Sequence, residues 1–433
     1  MSPEASTHRV FNQVPDLAHF NPFTSDTTLQ AALVRLGGTW HAAALTNFGE
    51  ALGAPETLQW AADANQYLPE LHTHTRTGER IDRVRFDRSW HALLTLMRSQ
   101  CLQALPFAEP RPGAWAARTA GYFLQAQIES GSLCPATMTF ASIPVLQKET
   151  ALFADLAPRL YAREHDARDL PWREKTAILI GMGMTEKQGG SDVRSNTTVA
   201  MPSGGTDGGE GRGATYAITG HKWFFSAPMC DAHLVVARTE SGPACFFVPR
   251  YRPDGSKNAV HIQRLKEKVG NRSNSSSEVE FQGAWGRMIG EEGRGIPTII
   301  EMATFTRLNC VMGSTGLIRQ CLVQAMHHTR HRHAFGKALA EQPLMRNVLT
   351  DMALESEAAT QLMMRLTDAF ALASEAPLQR AYKRIVTPAA KFWLAKRSIE
   401  LSGEAMEVFG GNGYMDESPM GRLYREAPVI SRS

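Results

Sequence analysis

The string Gly183-Met184-Thr185-Glu186-Lys187-Gln188-Gly189-Gly190-Ser191-Asp192 has the makings of a loop that closes over a flat ligand. An extended run ends in the Thr185 hydroxyl and the Glu186 carboxylate, and small residues follow. Glycine has no Cβ, so the backbone at Gly189 and Gly190 can approach a planar group closely. Hydroxyls and peptide N–H groups can then bind polar ring edges or phosphates. Alone, such a loop is more often a turn between strands. Gly220-His221-Lys222-Trp223-Phe224-Phe225-Ser226 adds apolar faces beside a hydroxyl. Arg332, followed by Phe335, Gly336 and Gln342, supplies a guanidinium that binds phosphate in a forked geometry. A competing cluster is His327 and His331, one helical turn apart, a spacing that suits a metal. No carboxylate or cysteine completes that set, and Arg330 and Arg332 would repel a cation, so no metal is expected.

In their order along the chain these strings resemble the acyl-CoA dehydrogenase family. Residues 183–195 are similar to its flavin-binding segment, and residues 220–226 to the strand that lies against the flavin ring. Residues 332–342 resemble the segment that reaches a neighbouring subunit's cofactor. Glu407-Val408-Phe409-Gly410-Gly411-Asn412-Gly413-Tyr414, then Glu417, Arg422 and Glu426, matches a further family signature. The resemblance implies FAD. Thr185 and Ser226 would be the ring-edge hydroxyls, with Met184, Trp223, Phe224 and Phe225 as apolar cover. Ser191 would lie at the phosphate region, Gly189 and Gly190 belong to the cofactor-binding loop, and Gly410 and Gly411 would let backbone approach. Arg332, Phe335 and Gln342 would cross from a second subunit, making a homodimer or homotetramer.

Phe11-Asn12-Gln13, residues 82–86 with Trp90-His91, and residues 131–140 resemble the AidB-type alkylation-response branch. That branch implies a link to the DNA alkylation response. Acyl-CoA oxidation needs a carboxylate to take the α-proton while hydride leaves the β-carbon for the flavin. By the family alignment, the chain stops at Ser433, one residue before the usual glutamate. The alternative position, directly before an arginine on the bundle's first helix, holds Thr306 before Arg307. The expectation is therefore an FAD-binding protein with weak or no acyl-CoA oxidation and no catalytic carboxylate. Two other readings stay open. One is a competent dehydrogenase of short or branched acyl-CoA with Glu426 or Glu301 as base. The other is a nucleic-acid-binding stress protein with a structural flavin, although the branch's basic DNA-binding region is not in the chain.

The elements that must position these residues follow a helix, β, helix order. The 433 residues suffice for two or three domains. Apolar spacing predicts helices over 93–102 and 114–128 in a helical region, 1–182. Short β-branched and aromatic runs at 215–218, 223–225, 233–237, 244–248 and 278–281 predict a β-barrel domain, 183–295. Helical patterns at 296–333, 341–373 and 378–408 predict a C-terminal bundle, 296–433, lacking its last part and exposing an apolar stripe along 389–408. The resulting class is α+β, the multidomain acyl-CoA dehydrogenase fold. No Gly-x-Gly-x-x-Gly opens a βαβ unit, which argues against a dinucleotide-type fold. The net charge of +3 argues against a chain-wide nucleic-acid surface. No signal-like N-terminus or membrane-length apolar run is present, and the six scattered cysteines read as reduced thiols of a cytoplasmic protein.

Overall fold

Helix-period apolar spacing shapes the first third of the chain. The computed structural model describes residues 7–203 and 209–432; most of the glycine-rich turn read at 203–209 lies outside them. Its helices are α1 Thr27–Arg35, α2 Ala42–Leu52, α3 Pro55–Gln66, α4 Arg88–Ser99, α5 Leu105–Ala108, α6 Ala114–Ile128, α7 Leu133–Leu146 and α8 Thr150–Tyr161. Helix α6 spans the predicted residues and is buried on almost every side. It carries Arg118, fully buried, which donates to the Leu102 carbonyl at 2.8 Å and lies 3.8 Å from the Phe140 ring centre. Its guanidinium also bonds Asn309, 191 positions away in the C-terminal bundle. Burial pulls Arg118 down to about 9.

The helical reading of this region misses one hairpin, β1 Glu70–His74 with β2 Arg80–Arg85. Its polar, arginine-rich sequence hides a two-residue period, in which Leu71 and Val84 pack against the barrel core. Arg80 donates to the Ile262 carbonyl at 3.1 Å. The 82–86 motif is thus part of an arm docked on the β region.

The barrel consists of β3 Ile180–Gly183, β4 Val199–Pro202, β5 Thr215–Phe225, β6 Ala232–Thr239, β7 Gly242–Pro249, β8 Val260–Leu265 and β9 Ser277–Ile289. Strands β6, β4, β5, β9 and β7 pair in sequence, and β7 returns to β6 to close the ring. β3 lies parallel to β6, and β8 antiparallel to β9. The runs read separately at 215–218 and 223–225 form one strand whose register shifts twice.

The bundle begins with α9 Gly295–His331. A two-strand turn, β10 His333–Ala334 and β11 Lys337–Ala338, leads to α10 Pro343–Ala371 and α11 Pro377–Val408. Pro343 and Pro377 occupy first helical positions, where the missing N–H costs nothing. A further helix, α12 Pro419–Arg432, packs along α11 and α9. Gly421 and Pro428 obscure it in the sequence. With α12 in place, Leu394, Leu401, Ala405 and Val408 are buried. The expected apolar stripe reduces to Phe392 and Trp393, 65% and 53% exposed. Among the described residues, no helix is long and apolar enough to cross a membrane.

Candidate cofactor site

Strand β3 delivers the chain to Met184 and Thr185, and β5 runs beside it. The Trp223 N–H donates to the Thr185 carbonyl at 2.8 Å, and the Asn196 side chain donates to the Met184 carbonyl at 2.8 Å. Glu186 then turns inward. Its carboxylate meets the Lys222 ammonium at 2.8 Å, with neither side chain exposed. It also accepts from the Thr197 N–H at 2.7 Å and the Thr198 hydroxyl at 2.7 Å. Burial would raise the Glu186 carboxyl, but Lys222 and these donors prevail and hold it well below the usual carboxylate range. The backbones of Glu186 and Gly189 bond each other at 3.1 and 3.2 Å, pinching the loop shut. A Cβ at Gly190 would lie 2.9 Å from the Thr185 hydroxyl, so only glycine lets the loop lie there undisturbed.

On β5 the register shift falls between Lys222 and Phe225. Such bulges re-aim side chains. Here Lys222 points in, Trp223 is half-buried, Phe224 is 51% exposed and Phe225 is fully buried. Phe225 therefore does not cover a ligand face as expected. It fills the barrel core, stacked on His233 with ring centres 4.1 Å apart. The Lys266 ammonium sits over Trp223, 3.5 Å from the ring centre. Ser226 follows the strand, close to Cys134, whose thiol burial pushes up to about 11.

A second wall comes from the segment between β8 and β9. A Cβ at Gly270 would meet the Arg425 carbonyl at 1.9 Å, so this segment lies flush on α12. Lys268, lowered to about 8 by burial, feels both Cys134 and Glu426. Glu426 is 2% exposed and its Oε2 meets no hydrogen-bond partner. Burial, with Glu129 nearby, pushes it up to about 7. Glu129 itself accepts from the Ser132 N–H at 2.7 Å and the Ser273 hydroxyl at 2.7 Å. A cavity of about 950 Å³ reaches this wall, lined by Gln127, Arg272, His328, Asn412, Arg422 and Glu426. Glu129, Lys222 and Lys268 escape the sequence reading as site-building residues, because nothing in their spacing sets them apart.

The remaining predicted residues stand elsewhere. Ser191, Gly410 and Gly411 are exposed. Arg332, Phe335 and Gln342 share the turn after α9, where Phe335 is 96% exposed and Gln342 donates to the Ala334 carbonyl at 3.0 Å. Among the described residues no hydrogen bond or ion pair joins these three to residues 183–195. Thr306 donates to the Ala303 carbonyl of its own helix at 2.9 Å. Exposed Arg307 borders a groove of about 580 Å³ with Lys383 and Glu301, and Glu301 is paired with Lys148. His327 bonds the Pro15 carbonyl at 2.7 Å.

Residues 12–167 match the family described as the adaptive response protein AidB N-terminal domain. Residues 181–284 and 293–431 match the middle and C-terminal domains of acyl-CoA dehydrogenase. AidB of Escherichia coli (strain K12) is 47% identical over 427 residues, 98% of this chain and 77% of its own length. The chain belongs to the acyl-CoA dehydrogenase family, in its AidB branch. Acyl-CoA dehydrogenase family member 11 of Caenorhabditis elegans is 26% identical over 97% of this chain and 69% of its own. The crystal structure of Caenorhabditis elegans ACDH-11 in complex with C11-CoA superposes with a TM-score of 0.88 at 25% identity, covering 98% of this chain and 73% of that one. Butyryl-CoA dehydrogenase from Megasphaera elsdenii shares the fold, with a TM-score of 0.69 at 19% identity over 94% of each chain.

Acyl-CoA dehydrogenases are FAD-dependent, and the AidB-type residues present here fit that cofactor. At Gly189, Gly410 and Gly411 a Cβ would meet nothing within 4 Å, leaving the backbone open to approach. Among the described residues the Thr185 hydroxyl has no hydrogen-bond partner. Phe224 is half-exposed, with the Lys266 ammonium 4.5 Å from its ring centre.

Proposed function

We propose that this chain is a cytoplasmic, FAD-binding AidB-type protein of the DNA alkylation response, with weak or no acyl-CoA oxidation. The supporting observation is the Glu186–Lys222 pair. It ties the 183–195 loop to β5, which supports reading Met184, Thr185, Phe224 and Ser226 as one side of a single site. Bound FAD would supply a two-electron acceptor. The hydroxyls of Thr185 and Ser226 would hold its polar ring edge, and Met184 and Phe224 would cover a face. Arg332, Phe335 and Gln342 would reach the cofactor of a second copy, in a homodimer or homotetramer. Acyl-CoA is the proposed ligand, in keeping with the C11-CoA held by the nematode relative.

Two α9 residues named above, Thr306 and Glu301, are poor candidates to take the α-proton. Thr306 carries a hydroxyl, which is no base near neutral pH. Glu301 is engaged by Lys148. Glu426, held near 7 with Oε2 unpartnered in the cavity wall, is suited to take a proton and favours the second reading, a competent dehydrogenase. The test is flavin titration of the purified chain and of a Thr185→Val, Ser226→Ala variant. Each lost hydrogen bond costs about 1 kcal/mol, so the double variant should bind FAD at least ~10-fold more weakly. A wild-type chain that binds no flavin at roughly micromolar concentration would overturn the reading. High turnover of an acyl-CoA with an electron acceptor would overturn its weak-activity part.

A further inference from the structure

Residues 11–13 mark the branch in sequence; Gln13 lines the cavity described above, whereas Asn12 does not. The structure sets Asn12 against the end of α9. Its side-chain amide donates to the His333 carbonyl at 2.9 Å, and its Oδ1 accepts from the His333 N–H at 2.8 Å. Its carbonyl accepts from the Arg332 guanidinium. Three residues on, the Pro15 carbonyl takes the His327 ring at 2.7 Å. Asn12 has φ 55, a left-handed conformation that asparagine tolerates better than most side chains. It thereby grips one residue, 321 positions away in sequence, at both its N–H and its carbonyl.

The gripped segment has a few further ties: the Arg332 N–H donates to the His328 carbonyl at 2.9 Å, the Arg332 carbonyl accepts from the Leu339 N–H at 2.9 Å, and Gln342 holds the Ala334 carbonyl. Only two residues of β10 pair with two of β11, and so short a ladder is marginal by itself. The turn at its tip uses left-handed conformations at Phe335, φ 52, and Gly336, φ 77. Gly336 adopts this freely; phenylalanine does so at a steric cost, while its ring stays 96% exposed. Besides the bond to Asn12, the Arg332 guanidinium makes no hydrogen bond or ion pair among the described residues. A long side chain left free must be ordered when it binds an anion, and part of that entropy is removed if it is held beforehand.

We propose that Asn12 is a positioning residue. It clasps residues 332–333 and presets the Arg332 guanidinium for the pyrophosphate of a cofactor. The proposal rests on the reading that Arg332 reaches the FAD of a second copy. The clasp joins the chain's N-terminal segment to a cofactor contact.

The test uses the full chain, with Asn12→Ala, Arg332→Ala and the double variant. FAD affinity is measured by flavin fluorescence, and exchange of the His333 amide by hydrogen–deuterium exchange without FAD. Losing the two side-chain bonds should weaken FAD about 5–10-fold and speed His333 exchange by at least about tenfold. In the Arg332→Ala background, Asn12→Ala should add less than about twofold, because the group it positions is gone. A lowered melting temperature with unchanged FAD affinity would show a purely structural strap and overturn the proposal. So would a full loss of affinity in the Arg332→Ala background, or unchanged His333 exchange. A wild-type chain without FAD affinity would overturn the cofactor reading itself, whereas the exchange measurement judges the clasp separately.

Discussion

Glu186 and Lys222, 36 positions apart, form a 2.8 Å ion pair with no solvent contact on either side chain. Removing one partner of such a pair strands a buried charge, at a cost of about 3–5 kcal/mol. Lys222→Met should therefore destabilise the chain by that order in urea unfolding. Adding Glu186→Gln should recover part of the loss, since a neutral amide can still accept from Thr197 and Thr198. The folded Glu186 carboxyl lies well below its ordinary 4.5, so its stabilisation is complete above that pH and is lost as the pH falls below it. Equal stability of Lys222→Met and wild type would show that the pair does not hold the loop.

Glu426 has the opposite sign. Its folded value near 7 exceeds the ordinary 4.5, so the folded chain keeps a proton that the unfolded chain releases across that window. Stability should fall as pH rises from 4.5 to 7, by roughly 3 kcal/mol from this group, and then level off. Glu426→Gln should remove this component. Urea midpoints at pH 5 and pH 8 provide the comparison, and an identical pH slope in variant and wild type would refute it.

His233 is buried behind Phe225 and held near 3 by desolvation, against an ordinary 6.5. The folded ring stays neutral while the unfolded ring takes a proton below 6.5. Its stabilisation is thus present above 6.5 and lost as pH falls toward 3. His233→Gln should flatten the acid limb of the stability curve by up to about 1.4 kcal/mol per pH unit relative to wild type. An unaltered limb would mean that His233 does not titrate with unfolding.

Gly270→Ala tests the contact between the barrel and α12. With a Cβ only 1.9 Å from the Arg425 carbonyl, the segment must lift off. The expected result is a loss of about 1–3 kcal/mol, as for overpacked interiors, with faster hydrogen exchange in α12. Unchanged exchange in α12 would show that the contact yields without cost.

The long bundle helices were legible because sustained apolar spacing and prolines at their starts agree. Helix α6 was legible for its clean spacing. The arm β1–β2 was not, since its alternation involves few apolar residues among many arginines. Helix α12 was hidden by Gly421 and Pro428. The strings at 183–195 and 220–226 pointed to the segment that the Glu186–Lys222 pair joins, but not to which side chains face outward. That depends on the register shift before Phe225, which no residue type announces. The partners of Glu186 and Glu426 are set by tertiary folding, so their altered ionisation had no sequence signature.

Helix α9 is an unbroken rod of 37 residues, about 55 Å long at 1.5 Å per residue. Arg307, about a third of the way along, and Arg332, just past the far end, are separated by about 37 Å of nearly rigid helix. That separation acts as a built-in ruler between the groove at Arg307 and the turn that follows α9. One residue inserted or deleted within it would swing everything beyond by about 100° as well as shift it 1.5 Å. The length of α9 is thus a quantised property of the molecule, and evolution can retune the loops around it far more freely than the rod itself.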